Sequence, residues 1–282
     1  MRYLKKTFEY LFLLDRSKRF FTIFLFLLPV GAVFSWLMPS GNYIKMISTY
    51  TAEPKQFFSI WTFDSNLLNY LFVLLITFVI LIFCVSIIIS IISRSFRVGV
   101  FKFYKPLTDF NDNFYPVFCS AVTYLVILIL YKLVITTLLG LWKTIDDYYI
   151  SLGMAVTTIS IMTFISAILT AYTVLIMPIM SVTGVKLKYA FSQSIRKTSD
   201  MIIPIFLGLW IPVIAKSLIG SAIAVIGLKH LLLCMDILLN TCLFSYLVVY
   251  IMIVYYEIEQ IKREDYTPHY YVKKSRKGIS KD

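Results

Sequence analysis

Six stretches of this chain stay apolar far longer than a surface helix needs. They fall at about residues 20–38, 67–93, 115–139, 152–180, 201–226 and 231–256. A helix crosses the roughly 30 Å hydrocarbon core of a bilayer in about 20 residues, so each stretch predicts one crossing. The expected fold is all-α and polytopic, with six transmembrane helices. The longest polar stretches, 39–66 and 257–282, are too short to bury a core of their own. The chain therefore reads as one transmembrane domain over 1–262, followed by a basic cytoplasmic tail at 263–282.

Three of the polar segments carry a helical pattern of their own. In the first, Leu4, Thr7, Phe8, Leu11 and Leu14 share a face, with Lys5, Lys6 and Glu9 off it. In the second, Val100, Phe103, Leu107, Phe110 and Phe114 do the same. In the third, Leu187, Ala190, Phe191, Ser194 and Ile195 form the stripe, opposed by Gln193, Arg196 and Lys197. A helix with one apolar and one Lys/Arg face settles in the membrane interface. The pattern predicts three interfacial elbows, each turning into a span.

The second and third elbows also resemble each other. Gly99-Val100-Phe101-Lys102-Phe103-Tyr104 is followed by Asp112, Pro116 and Phe118. Gly184-Val185-Lys186-Leu187-Lys188-Tyr189 is followed by Asp200, Pro204 and Phe206. A looser version, Leu4 to Tyr10 with Asp15 and Pro29, opens the chain. The reading is three units, about 1–95, 96–182 and 183–262, each made of an elbow, a span, an outer connection and a returning span. Because each begins on the same side, these are parallel repeats.

Charge adds a direction. Twenty-one of the 27 Lys and Arg residues lie before the first span, after the sixth, or in the connections between spans two and three and four and five. Lys45, Lys55, Lys132, Lys143, Lys216 and Lys229 are the remainder. The positive-inside rule places both termini in the cytoplasm. A net charge of +12 sorted in this way answers to anionic lipid headgroups, each basic residue being drawn by about 1 kcal/mol, and not to nucleic acid. Aromatic anchors mark the opposite side: Tyr43, Tyr50, Phe57, Phe58 and Trp61 in one loop, and Trp142, Tyr148 and Tyr149 in another. The first span follows a 19-residue leader with no small-x-small site after it, so it is expected to be retained. The connection Gly227-Leu228-Lys229-His230 predicts a tight antiparallel hairpin of the last two spans.

Composition leaves little room for chemistry outside the bilayer. The chain is 59% apolar and only 15% charged, against about 25% charged in soluble domains. Cys84, Cys119, Cys234 and Cys242 sit in or at the ends of spans and form no CxxC pair. They read as small apolar residues. No metal, nucleophile or phosphate-loop motif is recognisable, so no catalytic residue, metal or cofactor is assigned. Asp146-Asp147 reads as a helix cap. Within the spans, Lys216 and Asp236 stand out, because ionisable groups in a bilayer are costly. They lie on opposite arms of the last hairpin at depths about 6 Å apart, at about 1.5 Å per residue. The choice is between an ion pair that pins the hairpin and a proton or ion relay, and the pair is preferred. The hydroxylated fourth span, with Thr157, Thr158, Ser160, Thr163, Ser166 and Thr170, is expected to serve helix packing. Pro29, Pro178, Pro204 and Pro212 are expected to kink their helices.

The run Pro178-Ile179-Met180-Ser181-Val182-Thr183-Gly184, continuing to Ser194, resembles a broad bacterial family of six-helix membrane proteins of unknown function. That family is related to the membrane domain fused to some glycerophosphodiester phosphodiesterases. Pro178, Gly184, Ala190 and Ser194 match its pattern of a proline near a span's end, a glycine, and an Ala–Ser stripe. The phosphodiesterase barrel has no counterpart here, so the resemblance implies a membrane module without an established reaction. The expectation is a non-enzymatic, multi-pass protein of the bacterial cytoplasmic membrane, acting as a scaffold or as an accessory to transport or envelope maintenance. The alternative is a permease subunit, for example the membrane half of an ATP-driven exporter, whose protein partner would be a separate ATPase.

Overall fold

The computed structural model describes residues 2–13, 17–37, 67–99, 101, 106–225, 229–261 and 263–266. The described residues are helical, and no strand occurs among them. The helices are α1 (Arg2–Phe8), α2 (Lys18–Leu37), α3 (Leu67–Val98), α4 (Pro106–Trp142), α5 (Tyr148–Thr173), α6 (Ile176–Thr183), α7 (Leu187–Ser199), α8 (Ile202–Val225) and α9 (Lys229–Ile258). A π-helical turn, Glu9–Leu13, extends α1, and a 3₁₀ turn, Glu264–Tyr266, follows α9. Six helical stretches are long and apolar enough to cross a membrane: α2, α3, α4, α5 joined to α6, α8 and α9. The loop with Tyr43 to Trp61, the turn 226–228 and the tail beyond 266 lie outside the described residues.

α3 is the axis of the bundle. From Cys84 to Ser93 it is buried on every face, as expected of a helix that is apolar all round. α2, α4 and α9 pack around it, and α2 and α9 form the most extensive pair. Near its end α9 adds Tyr246, Tyr250, Tyr255 and Tyr256, all buried. Away from this core the far halves of α4 and α5 form a hairpin with a small core of Ile135, Leu139, Leu152, Ala155 and Ile159. Two hydrogen bonds tie it, Trp142 Nε1 to Thr158 Oγ1 at 2.9 Å and one of the same length between the Tyr131 and Thr163 hydroxyls. Thr158 and Thr163 thus join helices, whereas Thr157 and Ser160 bond carbonyls of their own helix. Asp147 caps α5, accepting from the amides of Tyr149 and Ile150, while Asp146 plays no part in that cap.

One end of the bundle gathers the basic residues that the sequence sorts to one side. Arg2 and Lys6 of α1 pair with Glu257 of α9. Lys197 of α7 pairs with Glu259, and Arg19 of α2 with Asp265 beyond α9. Beyond α9, Arg263 and Asp265 are buried.

The three elbows differ. α1 lies on α9 and α8, but its buried face is Tyr3, Thr7, Tyr10 and Leu11, and Phe8 is exposed. In the second segment Val100 and 102–105 lie outside the described residues, and 106–114 is no separate element. It is the first part of α4, a helix of 37 residues. Leu107 and Phe114 face outward there, and the polar side is buried. α7 is a separate 13-residue helix. It buries Ala190, Ser194 and Thr198, leaving Phe191 and Ile195 exposed on the flank beside exposed Lys188.

Candidate functional site

The polar side of α4 meets α3 and α6 in a buried seam near the basic end. Asp109, Asn113, Val117 and Ser120 recur at helical spacing and are all buried. Asn113 and Asp109 meet Ser86 and Ser90 of α3, small residues that allow close approach. Asp109 is 1% exposed. Its Oδ1 accepts from Ser90 Oγ at 3.2 Å and from the Arg94 guanidinium. Its Oδ2 has no hydrogen-bond partner among the described residues. One turn on, Ser181 of α6 donates to Asn113 Oδ1, and Ser86 Oγ reaches the Asn113 carbonyl at 3.5 Å. Arg94 is partly exposed and forms the seam's link to solvent.

This is a carboxylate, a guanidinium, an amide and three hydroxyls on three helices. It suits proton or ion handling, or rigid bracing of the helices. No group of three or more His, Cys, Asp or Glu side chains able to hold a metal occurs among the described residues. The sequence reading absorbed Asp109 and Asn113 into an interfacial elbow and so missed the seam. The signal was present: Asp109 and Asn113 recur at the same i, i+4 spacing as Ser86 and Ser90 on the preceding span.

Lys216 and Asp236 come together across α8 and α9. Asp236 is 1% exposed, Lys216 is half-buried, and the two interact electrostatically. One turn further along α9, Asn240 Nδ2 donates to Ser35 Oγ of α2 at 2.8 Å. The first half of α9 therefore engages both α8 and α2 through polar groups.

Pro178, Gly184, Ala190 and Ser194 also meet. The helix breaks between α5 and α6 at Val174–Leu175. Pro178 has no N–H for the Val174 carbonyl. Ser194 donates its hydroxyl to the Tyr172 carbonyl at 2.6 Å, beside the break. Gly184 ends α6 with φ +69°, a left-handed cap, and its N–H bonds the Met180 carbonyl. Ala190, fully buried, lets α7 lie close. The four residues build a turn between helices and carry no reactive group.

The four cysteines are free thiols, Cys84 and Cys119 buried, Cys234 and Cys242 exposed. No family model, curated protein or solved structure matches this chain.

Proposed function

We propose that this chain is a non-enzymatic, multi-pass protein of the bacterial cytoplasmic membrane. Its role is that of a scaffold or an accessory to transport or envelope maintenance. The observation that carries this reading is the braced basic end. Ion pairs from α1, α2 and α7 converge on the last residues of α9 and the turn beyond it. Such a platform gathers α1, α7 and the turn beyond α9 and presents exposed Lys188 and Arg196 beside Phe191 and Ile195. That chemistry fits anionic headgroups. The Pro178–Ser194 resemblance to six-helix membrane modules without a known reaction points the same way. Reporters fused at either end are expected to read cytoplasmic, and the protein purified in mild detergent is expected to bring down a reproducible set of proteins. A periplasmic reading at one end, or a protein that is always solitary, would count against the proposal.

The buried seam favours a second reading, a permease subunit. A carboxylate set among hydroxyls inside a span-length helix is what an ion or proton path would use. Co-purification of an ATPase would support it. Arg94→Gln or Asp109→Asn abolishing a cellular phenotype while leaving the protein folded and inserted would support it too. Normal function in both variants would reduce the seam to bracing.

A further inference from the structure

α1 packs more fully on α9 than on α8, and a groove remains between α1 and α8. Tyr3 and Leu4 line one wall, and Pro204, Leu207, Gly208 and Ile211 line the other. The space amounts to about 250 Å³ and is partly open. Leu207 and Ile211 are exposed, so the α8 wall faces outward. From Pro204 to Ile211 this wall follows α8 away from its first residue, Ile202, and into the span.

The backbone along that wall is already served. The Gly208 carbonyl accepts from the Tyr246 hydroxyl, and the Pro204 carbonyl from that of Tyr250. A Cβ at Gly208 would overlap the Tyr250 hydroxyl, so the phenol lies directly behind the wall. What the groove offers an occupant is aliphatic and aromatic surface, and apolar cavities stay dry. The occupant is therefore apolar. Size narrows the choice. One turn of an α-helix, about 10 Å wide and about 5.4 Å high, fills about 400 Å³, more than the groove provides. A hydrocarbon chain is thinner than a helix and fits.

The rim of the groove is cationic. Arg2 and Lys5 flank Tyr3 and Leu4 in sequence, and their side chains are 75% and 80% exposed. Arg2 donates to Glu257 at 3.0 Å through Nη2, and Lys5 stands 4.0 Å from Glu9. Neither head is enclosed by these contacts, so each can turn to a second anion. Burial pushes the Tyr3 phenol above its usual range, against the pull of Arg2, so its hydroxyl keeps its proton at neutral pH.

We propose that the α1–α8 groove binds one acyl chain of an anionic phospholipid, whose phosphate is held at the rim by Arg2 and Lys5. The lipid belongs to the leaflet at the basic end of the bundle, where apolar surface and cations meet as they do on interfacial helices. The site holds under either reading of the protein's role, since both leave the spans in a bilayer.

The test is native mass spectrometry of the full chain, released from mild detergent after incubation with phosphatidylglycerol or with phosphatidylcholine of matched chains. A single phosphatidylglycerol is expected to stay bound, about 25-fold tighter than phosphatidylcholine, two basic residues at an anionic headgroup contributing about fivefold each. Lys5→Gln should weaken it by about fivefold on the same scale. Leu207→Trp, which fills the groove, should abolish retention. Ile214→Trp, exposed on α8 outside the groove, should leave it unchanged. Because a groove variant can unfold, the lipid selectivity of the unaltered protein is decisive by itself. Four results would each overturn the proposal: no bound lipid, equal retention of the two lipids, an affinity untouched by both Lys5→Gln and Leu207→Trp, or a dimer of this chain that Leu207→Trp dissociates.

Discussion

The Tyr246 hydroxyl on α9 donates to the Gly208 carbonyl on α8 at 2.9 Å, and that carbonyl is the one Pro212 leaves without a partner. A proline has no N–H to return to the residue four before it. The phenol supplies the missing donor from the neighbouring helix. Nearby, the Tyr250 hydroxyl reaches the Pro204 and Ile205 carbonyls at 3.2 and 3.3 Å. The α8–α9 interface is thus zipped by tyrosines onto the backbone of a proline-bearing helix, where neighbouring groups must satisfy what proline frees.

Tyr246→Phe should therefore cost about 1–3 kcal/mol, the penalty of a buried acceptor left unmet. Pro212→Ala in the same chain restores an N–H to Gly208 and should return much of that loss. Unfolding by SDS in mixed micelles measures both. Equal stability of the single and double variants would mean that water or another group serves the carbonyl.

Gly31 should tolerate no side chain. A Cβ there would overlap the Thr241 hydroxyl and stand 2.9 Å from the Thr241 backbone nitrogen and 3.0 Å from the Ile237 carbonyl. Backbone cannot step aside as a flexible side chain can, so Gly31→Ala must push α2 from α9. The expected cost is about 1–3 kcal/mol. Thr241→Ala added to it should relieve the loss only in part, because the two backbone contacts remain. A Gly31→Ala protein as stable as the parent in the same assay would contradict this packing.

Lys216 and Asp236 should behave as a pair. Replacing either alone by a neutral residue weakens the α8–α9 hairpin, with Lys216→Leu stripping the buried carboxylate of one charge partner. Exchanging both charges, Lys216→Asp with Asp236→Lys, is expected to recover at least half of the stability lost by the worse single change. Recovery of fold without recovery of a cellular phenotype would instead favour the relay.

Much of the layout was readable beforehand, for a simple reason. Span length is set by bilayer thickness, and a run of Leu, Ile, Val and Phe declares itself without knowledge of neighbours. Asp147 as a helix cap was likewise local, since a cap depends on the next three residues. The basic segments were harder. Their apolar stripes predict interfacial helices but say nothing of what the opposite side meets: in α4 Leu107 and Phe114 turn outward and the Asp109–Asn113 side is buried against neighbouring helices. Soluble-protein logic inverts here: where the surroundings are apolar too, polar side chains gain most from facing one another. α7 follows the same rule, burying Ala190 and Ser194 because small residues allow close approach, and leaving Phe191 and Ile195 outside.

The sequence by itself determined how many helices are span-length, roughly where they lie, and which polar connections hold the cations. Those features depend on composition over windows of about 20 residues and on summed charge. Only the tertiary structure decided which helix is central, that Arg94 and Asp109 share a seam, that Tyr246 meets Gly208, and that Arg19 and Asp265, at opposite ends of the chain, join in one cluster. Those pairings depend on how helices rotate about their own axes and which neighbours they choose. In surroundings where every face is apolar, a few hydrogen bonds and small residues set that choice, and they leave little trace in hydropathy.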